Sequence, residues 1–257
     1  MMFGLKNENK SLEEDISSKS SSNLLFRAFL LGLSIYLISQ VIGLLLTLEE
    51  YGPILEGGNV TKMLLTDLMF LFLSLGIIIV LTRGKVTQYG LSKPKGEVKW
   101  GPILGGGLLL GSIATIIIII TEANGNPALK GLGIREKILL VWFLASISEE
   151  IFVRGLLQGY LNPLESMKIT FGSRTISYPV ILSTVFFGSI HLPLVFFGAD
   201  LISVCVIFLM TLTLGFFTAT LRENHHSVLP SIGIHITTNI GGTMLGPIVF
   251  AILVGSF

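Results

Sequence analysis

The stretch Ser148-Glu149-Glu150-Ile151-Phe152-Val153-Arg154 constrains this chain more than any other. It sets two carboxylates and a guanidinium inside an apolar run from Ile138 to Leu157. A helix rising ~1.5 Å per residue crosses a bilayer in a run of that length. An ionisable group near the bilayer centre costs at least ~2.5–3.5 kcal/mol, so three in one run require partners. Glu150 and Arg154 are four apart, share a helical face and can pair. Glu149 is rotated by about 100° from Glu150 and needs a partner from another segment.

The surroundings are those of a polytopic membrane protein. Mean hydropathy is +0.80, with 51% hydrophobic and 13% charged residues. A net charge of +1 and the lack of a long basic run with interleaved aromatics argue against a nucleic-acid partner. One cysteine, Cys205, rules out an intramolecular disulfide and a cysteine-based zinc cluster. Residues 1–23 are polar and serine-rich and read as a flexible tail, and residues 24–257 read as one transmembrane domain.

The expected fold is all-α, about eight transmembrane helices with a polar site inside the bundle. The candidate spans are Leu24 to Leu48, Met63 to Leu81, Pro102 to Thr121, Ile138 to Leu157, Pro179 to Phe197, Leu201 to Leu221, Val228 to Ile240 and Thr243 to Phe257. Gly241-Gly242 separates the last two, which are short enough to form a re-entrant hairpin instead. Spanning strands are not expected, because a lone strand leaves its backbone unpaired in lipid. Gly101 with Gly105, and Gly107 with Gly111, give a small-residue spacing suited to close packing within the bundle. With the N-terminus inside, 12 Lys and Arg fall on the inner side against 4 on the outer, with Arg154 inside a span. The sequence therefore reads as an integral protein of a cell or endoplasmic-reticulum membrane, its N-terminus toward the cytosol.

Three further polar residues lie inside apolar spans: His191 in the fifth, His235 and Asn239 in the seventh. His235 and Asn239 share a helical face. Helix rise puts Glu149, His191 and His235 roughly 12, 18 and 11 Å from the inner end of their spans. One layer thus holds them all, which places the expected site toward the cytosol. A carboxylate in such a cavity is a better general base at neutral pH. Glu149 with His191 would activate a water, His235 with Asn239 would donate to the oxyanion, and Glu150 with Arg154 would support the site. This describes an amide hydrolase that needs no cofactor. The rival mechanism makes Glu149, His191 and His235 zinc ligands. Two rival classes remain: a non-enzymatic membrane protein, such as an immunity factor or scaffold, and an ion or proton transporter.

Glu-Glu-x-x-x-Arg at Glu149 to Arg154, Phe-x-x-x-His at Phe187 to His191, and His-x-x-x-Asn at His235 to Asn239 occur in this order. Together they resemble the family of type II CAAX prenyl endopeptidases and bacteriocin-processing proteins. The resemblance covers roughly residues 138–240. It implies an eight-helix intramembrane protease acting on a prenylated C-terminal peptide or protein in the bilayer and removing the last three residues. It also implies the roles of Glu149, His191, His235 and Asn239 given above, and leaves a zinc-dependent version open.

Overall fold

The computed structural model describes residues 2–45 and 58–254. Its elements are helices joined by short connections. α1 is Met2–Leu45, α2 Gly58–Thr82, α3 Trp100–Ile120, α4 residues 134–160, α5 Tyr178–Ser189, α6 Leu201–His225 and α7 Leu229–Val254. Among the described residues six helices are long and apolar enough to cross a membrane, and α4, which carries the charges, packs among them. α4 can hold charge because it is wrapped on all sides: every residue of Ile151–Leu157 is buried. Phe152 stacks on Phe70 of α2 with ring centroids 5.0 Å apart, and Phe186 of α5 meets it edge-on.

Three expectations change. The segment before the first span is helical back to Met2 rather than irregular, because extending a helix already nucleated by an apolar span is easy. The seventh and eighth expected spans are one helical run, Leu229–Val254; residues 46–48 and 255–257 of the expected spans lie outside the described residues. Gly241 does not break the helix. A Cβ there would stand 2.3 Å from the Leu108 carbonyl oxygen, so this glycine lets α7 lie against α3. The last difference is a hairpin of β1 (Lys168–Phe171) and β2 (Arg174–Ser177), paired antiparallel in the connection between α4 and α5. Its sequence carried the signal, since Gly172-Ser173 lies between alternating residues and Gly172 has φ +59.

Of the two glycine pairs, Gly107 and Gly111 make the close approach. A Cβ at Gly107 would meet Thr237 Oγ1 at 2.1 Å, and one at Gly111 would meet the Thr238 carbonyl oxygen at 1.9 Å. Gly101 and Gly105 face open space. The seam therefore fixes α7 against α3, with His235 and Asn239 on the turns beside it.

Helix starts are set by side chains. Ser177 caps α5 by accepting from the Val180 amide, with Pro179 in the first turn. Asp200 caps α6 by accepting from the Ser203 amide at 2.8 Å. α6 ends where His226 turns left-handed at φ +47, and α7 begins three residues later, so the two helices are antiparallel neighbours.

Candidate active site

The acidic pair lies on a short α-helical segment, Ser146–Glu150, between two π-helical stretches, Lys137–Ala145 and Ile151–Leu157. A π turn is wider than an α turn and re-aims the side chains that follow; such turns are frequent at functional sites. Here the wide turn also offers the Val141 carbonyl to another helix, and the Asn239 side-chain amide donates to it at 2.9 Å. The same amide nitrogen donates to Ser146 Oγ at 3.0 Å. A carbonyl only accepts, so the NH2 end of Asn239 must face Val141.

Glu150 and Arg154 pair as their spacing predicts. Arg154 Nε lies 3.3 Å from Glu150 Oε2, with both side chains at 0% exposure. Arg154 Nε donates to Thr218 Oγ1 on α6 at 2.8 Å, and its guanidinium carbon sits 5.1 Å from the Phe187 ring centroid. Glu150 Oε1 takes a second partner, His235 Nδ1, at 3.0 Å. A carboxylate oxygen accepts, so the hydrogen of this contact sits on His235 Nδ1. The other ring nitrogen, Nε2, lies 3.9 Å from Glu149 Oε2. His235 therefore stands between the two carboxylates, and the partner that Glu149 requires comes from α7.

His191 is oriented by the backbone. Its Nδ1 lies 2.8 Å from the Phe187 carbonyl oxygen, which fixes the hydrogen on Nδ1 and leaves Nε2 with a lone pair. The residue sits in the turn just after α5 rather than within a helix. The Phe187 ring, fully buried, meets His191 and His235 edge-on, with centroids 5.1 and 5.7 Å apart. Phe187 thus holds both imidazoles and one face of the Arg154 guanidinium.

Glu149, His191, His235 and Asn239 all line one cavity of about 700 Å³. Glu149 is the accessible member of the acidic pair, its side chain 17% exposed where Glu150 is closed off. Sequence reasoning missed one residue here. Asp67 of α2 lines the same cavity, is 4% exposed, and its Oδ2 has no hydrogen-bond partner. It lies against Ser148 and within electrostatic reach of Glu149. It is the one charged residue in the run from Met63 to Leu81, and an intramembrane acid is a site candidate on that ground alone.

Both contacts of the Asn239 amide nitrogen go to α4. The alternative zinc set Glu149, His191 and His235 lines one cavity, and among the described residues no three His, Cys, Asp or Glu side chains stand as a metal-holding group. One ring nitrogen of each histidine is held, by the Phe187 carbonyl and by Glu150, which orients the other.

Residues 135–241 match the family model described as type II CAAX prenyl endopeptidase Rce1-like. Over these residues the chain is similar to that family. The match supports a CAAX-type intramembrane protease in general terms, and all seven residues picked out by the motifs fall inside it. Asp67 of α2 lies outside the Rce1-like core and reaches it only through the fold. Comparison with curated proteins and with solved structures gives no match to this chain.

Proposed function

We propose that the protein is an intramembrane endopeptidase in which Glu149 activates a water. The observation that carries this reading is the division of labour in the acidic pair. Glu150 is sealed and neutralised by Arg154, whereas Glu149 opens on a cavity lined by two histidines. Glu149 takes a proton from a water that His191 Nε2 helps to hold, and the water oxygen attacks the peptide carbonyl carbon. The oxyanion that forms is met by His235 in its charged form, donating from Nε2 while Glu150 balances it through Nδ1. Collapse breaks the carbon–nitrogen bond, and the proton on Glu149 passes to the leaving amine. Asn239 acts as a positioning residue that ties α7 to α4. The substrate favoured by the family match is a prenylated C-terminal peptide cut three residues from its end.

The test is cleavage of a farnesylated CAAX peptide by detergent-purified protein, with and without a strong chelator, beside Glu149→Gln. Cleavage that survives the chelator and is lost in a folded variant supports the reading. Cleavage lost to the chelator and restored by zinc replaces it with the metal mechanism. Turnover retained by Glu149→Gln removes Glu149 as the base.

A further inference from the structure

A buried polar atom without a partner is costly, and the interior of a membrane protein offers it little relief. Among the described residues eight buried side-chain atoms have no hydrogen-bond partner. Of the residues that carry them, only Asp67 lines the cavity. Helical spacing presents it there. Met63, Thr66, Asp67 and Phe70 are three and four apart, share one face of α2, and all line the cavity. The fold also carries Asp67 to the reacting groups. It lies against Ser148, the residue before Glu149, and within electrostatic reach of Glu149 itself. Its side chain is buried, yet Oδ2 keeps an unmet lone pair.

An open carboxyl oxygen needs a donor. The other groups around Glu149 already have tasks in the reaction described above. Glu149 takes the proton of the water, His191 Nε2 holds that water, and His235 Nε2 donates to the oxyanion. None of the three receives the N–H of the peptide bond being cut. That N–H enters the cavity with the carbonyl it belongs to, and it loses its hydrogen bond to bulk water on the way. The substrate therefore brings a donor without an acceptor to a wall that holds an acceptor without a donor.

We propose that Asp67 Oδ2 accepts the N–H of the scissile peptide bond and so orients the substrate on Glu149. This rests on the endopeptidase reading. Asp67 is a binding residue, and it neither gives nor takes a proton in the reaction. With the N–H held on Asp67, the lone pair of the leaving nitrogen is left for the proton that Glu149 returns. A proline after the cut has no N–H and is refused.

The experiment removes each half of the contact in turn. On the substrate side, a farnesylated CAAX peptide is compared with its depsipeptide, in which the amide after the lipidated cysteine is an ester with oxygen in place of N–H. On the protein side the change is Asp67→Asn, whose side chain can turn its carbonyl to an N–H or its NH2 to an ester oxygen. All four combinations are measured as binding in detergent to full-length protein carrying Glu149→Gln, so turnover plays no part. With Asp67 in place the amide is expected to bind at least about tenfold tighter than the ester, because the ester sets two oxygens against each other. With Asp67→Asn the preference is expected to fall to within about threefold. A structural role for Asp67 would change both affinities alike and leave their ratio unmoved. An unmoved ratio, equal binding of amide and ester with Asp67 in place, or no binding of either overturns the proposal. The endopeptidase reading fails separately, when protein with its native Glu149 cleaves neither ligand although the preference that depends on Asp67 is present.

Discussion

His235 Nδ1 meets Glu150 Oε1 at 3.0 Å, across the contact between α7 and the buried centre of α4. That contact gives the two adjacent glutamates different fates. Glu150 is shared between Arg154 and His235 and is closed to the cavity, whereas Glu149 keeps an open oxygen. Replacing Glu150 by Gln leaves Arg154 buried without a counter-charge. A broken buried pair costs about 3–5 kcal/mol, so Glu150→Gln should reduce folded yield and lower the melting temperature in detergent. Glu149→Gln should abolish cleavage with the melting temperature nearly unchanged. Equal losses of stability in the two variants would remove the distinction drawn between them.

Asp67 is a buried acid with an unsatisfied oxygen close to a second carboxylate. Natural proteins keep such strain where activity requires it. Asp67→Asn should therefore raise the melting temperature, by about 1 kcal/mol of stability, while slowing cleavage. Thermal unfolding and turnover measured on one preparation decide this, and a variant that melts earlier than the unmodified protein contradicts it.

The seam between α3 and α7 predicts a contrast between glycines one turn and more apart. Gly111→Ala would push a methyl group into the Thr238 carbonyl, a backbone atom that cannot swing away. Overpacking of this kind costs about 1–3 kcal/mol and displaces α7, and His235 with it, so cleavage should fall along with stability. Gly105→Ala, which meets nothing within 4 Å, should be silent in both assays.

Asp200 predicts a pH effect in the connection after α3. The Ser203 amide, then the Asn124 amide, hold its carboxyl down to about 2, below the ordinary 3.8. Gly125 is held beside it by Ser203 Oγ at 2.8 Å. A depressed carboxylate contributes its full stabilisation above about 3.8, and this is lost as pH falls through the folded value near 2. Amide exchange at Asn124 and Gly125, corrected for intrinsic rates, should stay slow down to about pH 4 and accelerate below it. Asp200→Asn should show the fast exchange already at neutral pH.

Much of the site was legible in the sequence because charge inside an apolar run is costly and so is kept for a reason. Glu149, His191, His235 and Asn239 line one cavity, and Glu150 with Arg154 lies buried behind His235. What the sequence did not convey has identifiable causes. Asp67 belongs to no spaced motif, and only the fold brings α2 beside Ser148. The π-helical stretches of α4 change side-chain azimuths that an ideal helix would set, so the contact of His235 with both glutamates could not be read from spacing. In the sequence Gly241-Gly242 reads as a break, yet glycine in a membrane helix serves close approach as readily as interruption.

Beyond Glu150, side chains tie α4 and the connection after it to α6. Gln158 Nε2 donates to the Ala219 carbonyl at 3.0 Å, Arg222 Nη1 donates to Asn162 Oδ1 at 2.9 Å, and the Arg154–Thr218 contact lies above them. Hydrolysis needs water deep in the bilayer, yet a continuous wet path would discharge the ion gradients that a membrane maintains. For an intramembrane hydrolase, these ties between α4 and α6 would keep the water that the reaction needs from running on past Glu150 to the far side of the bundle.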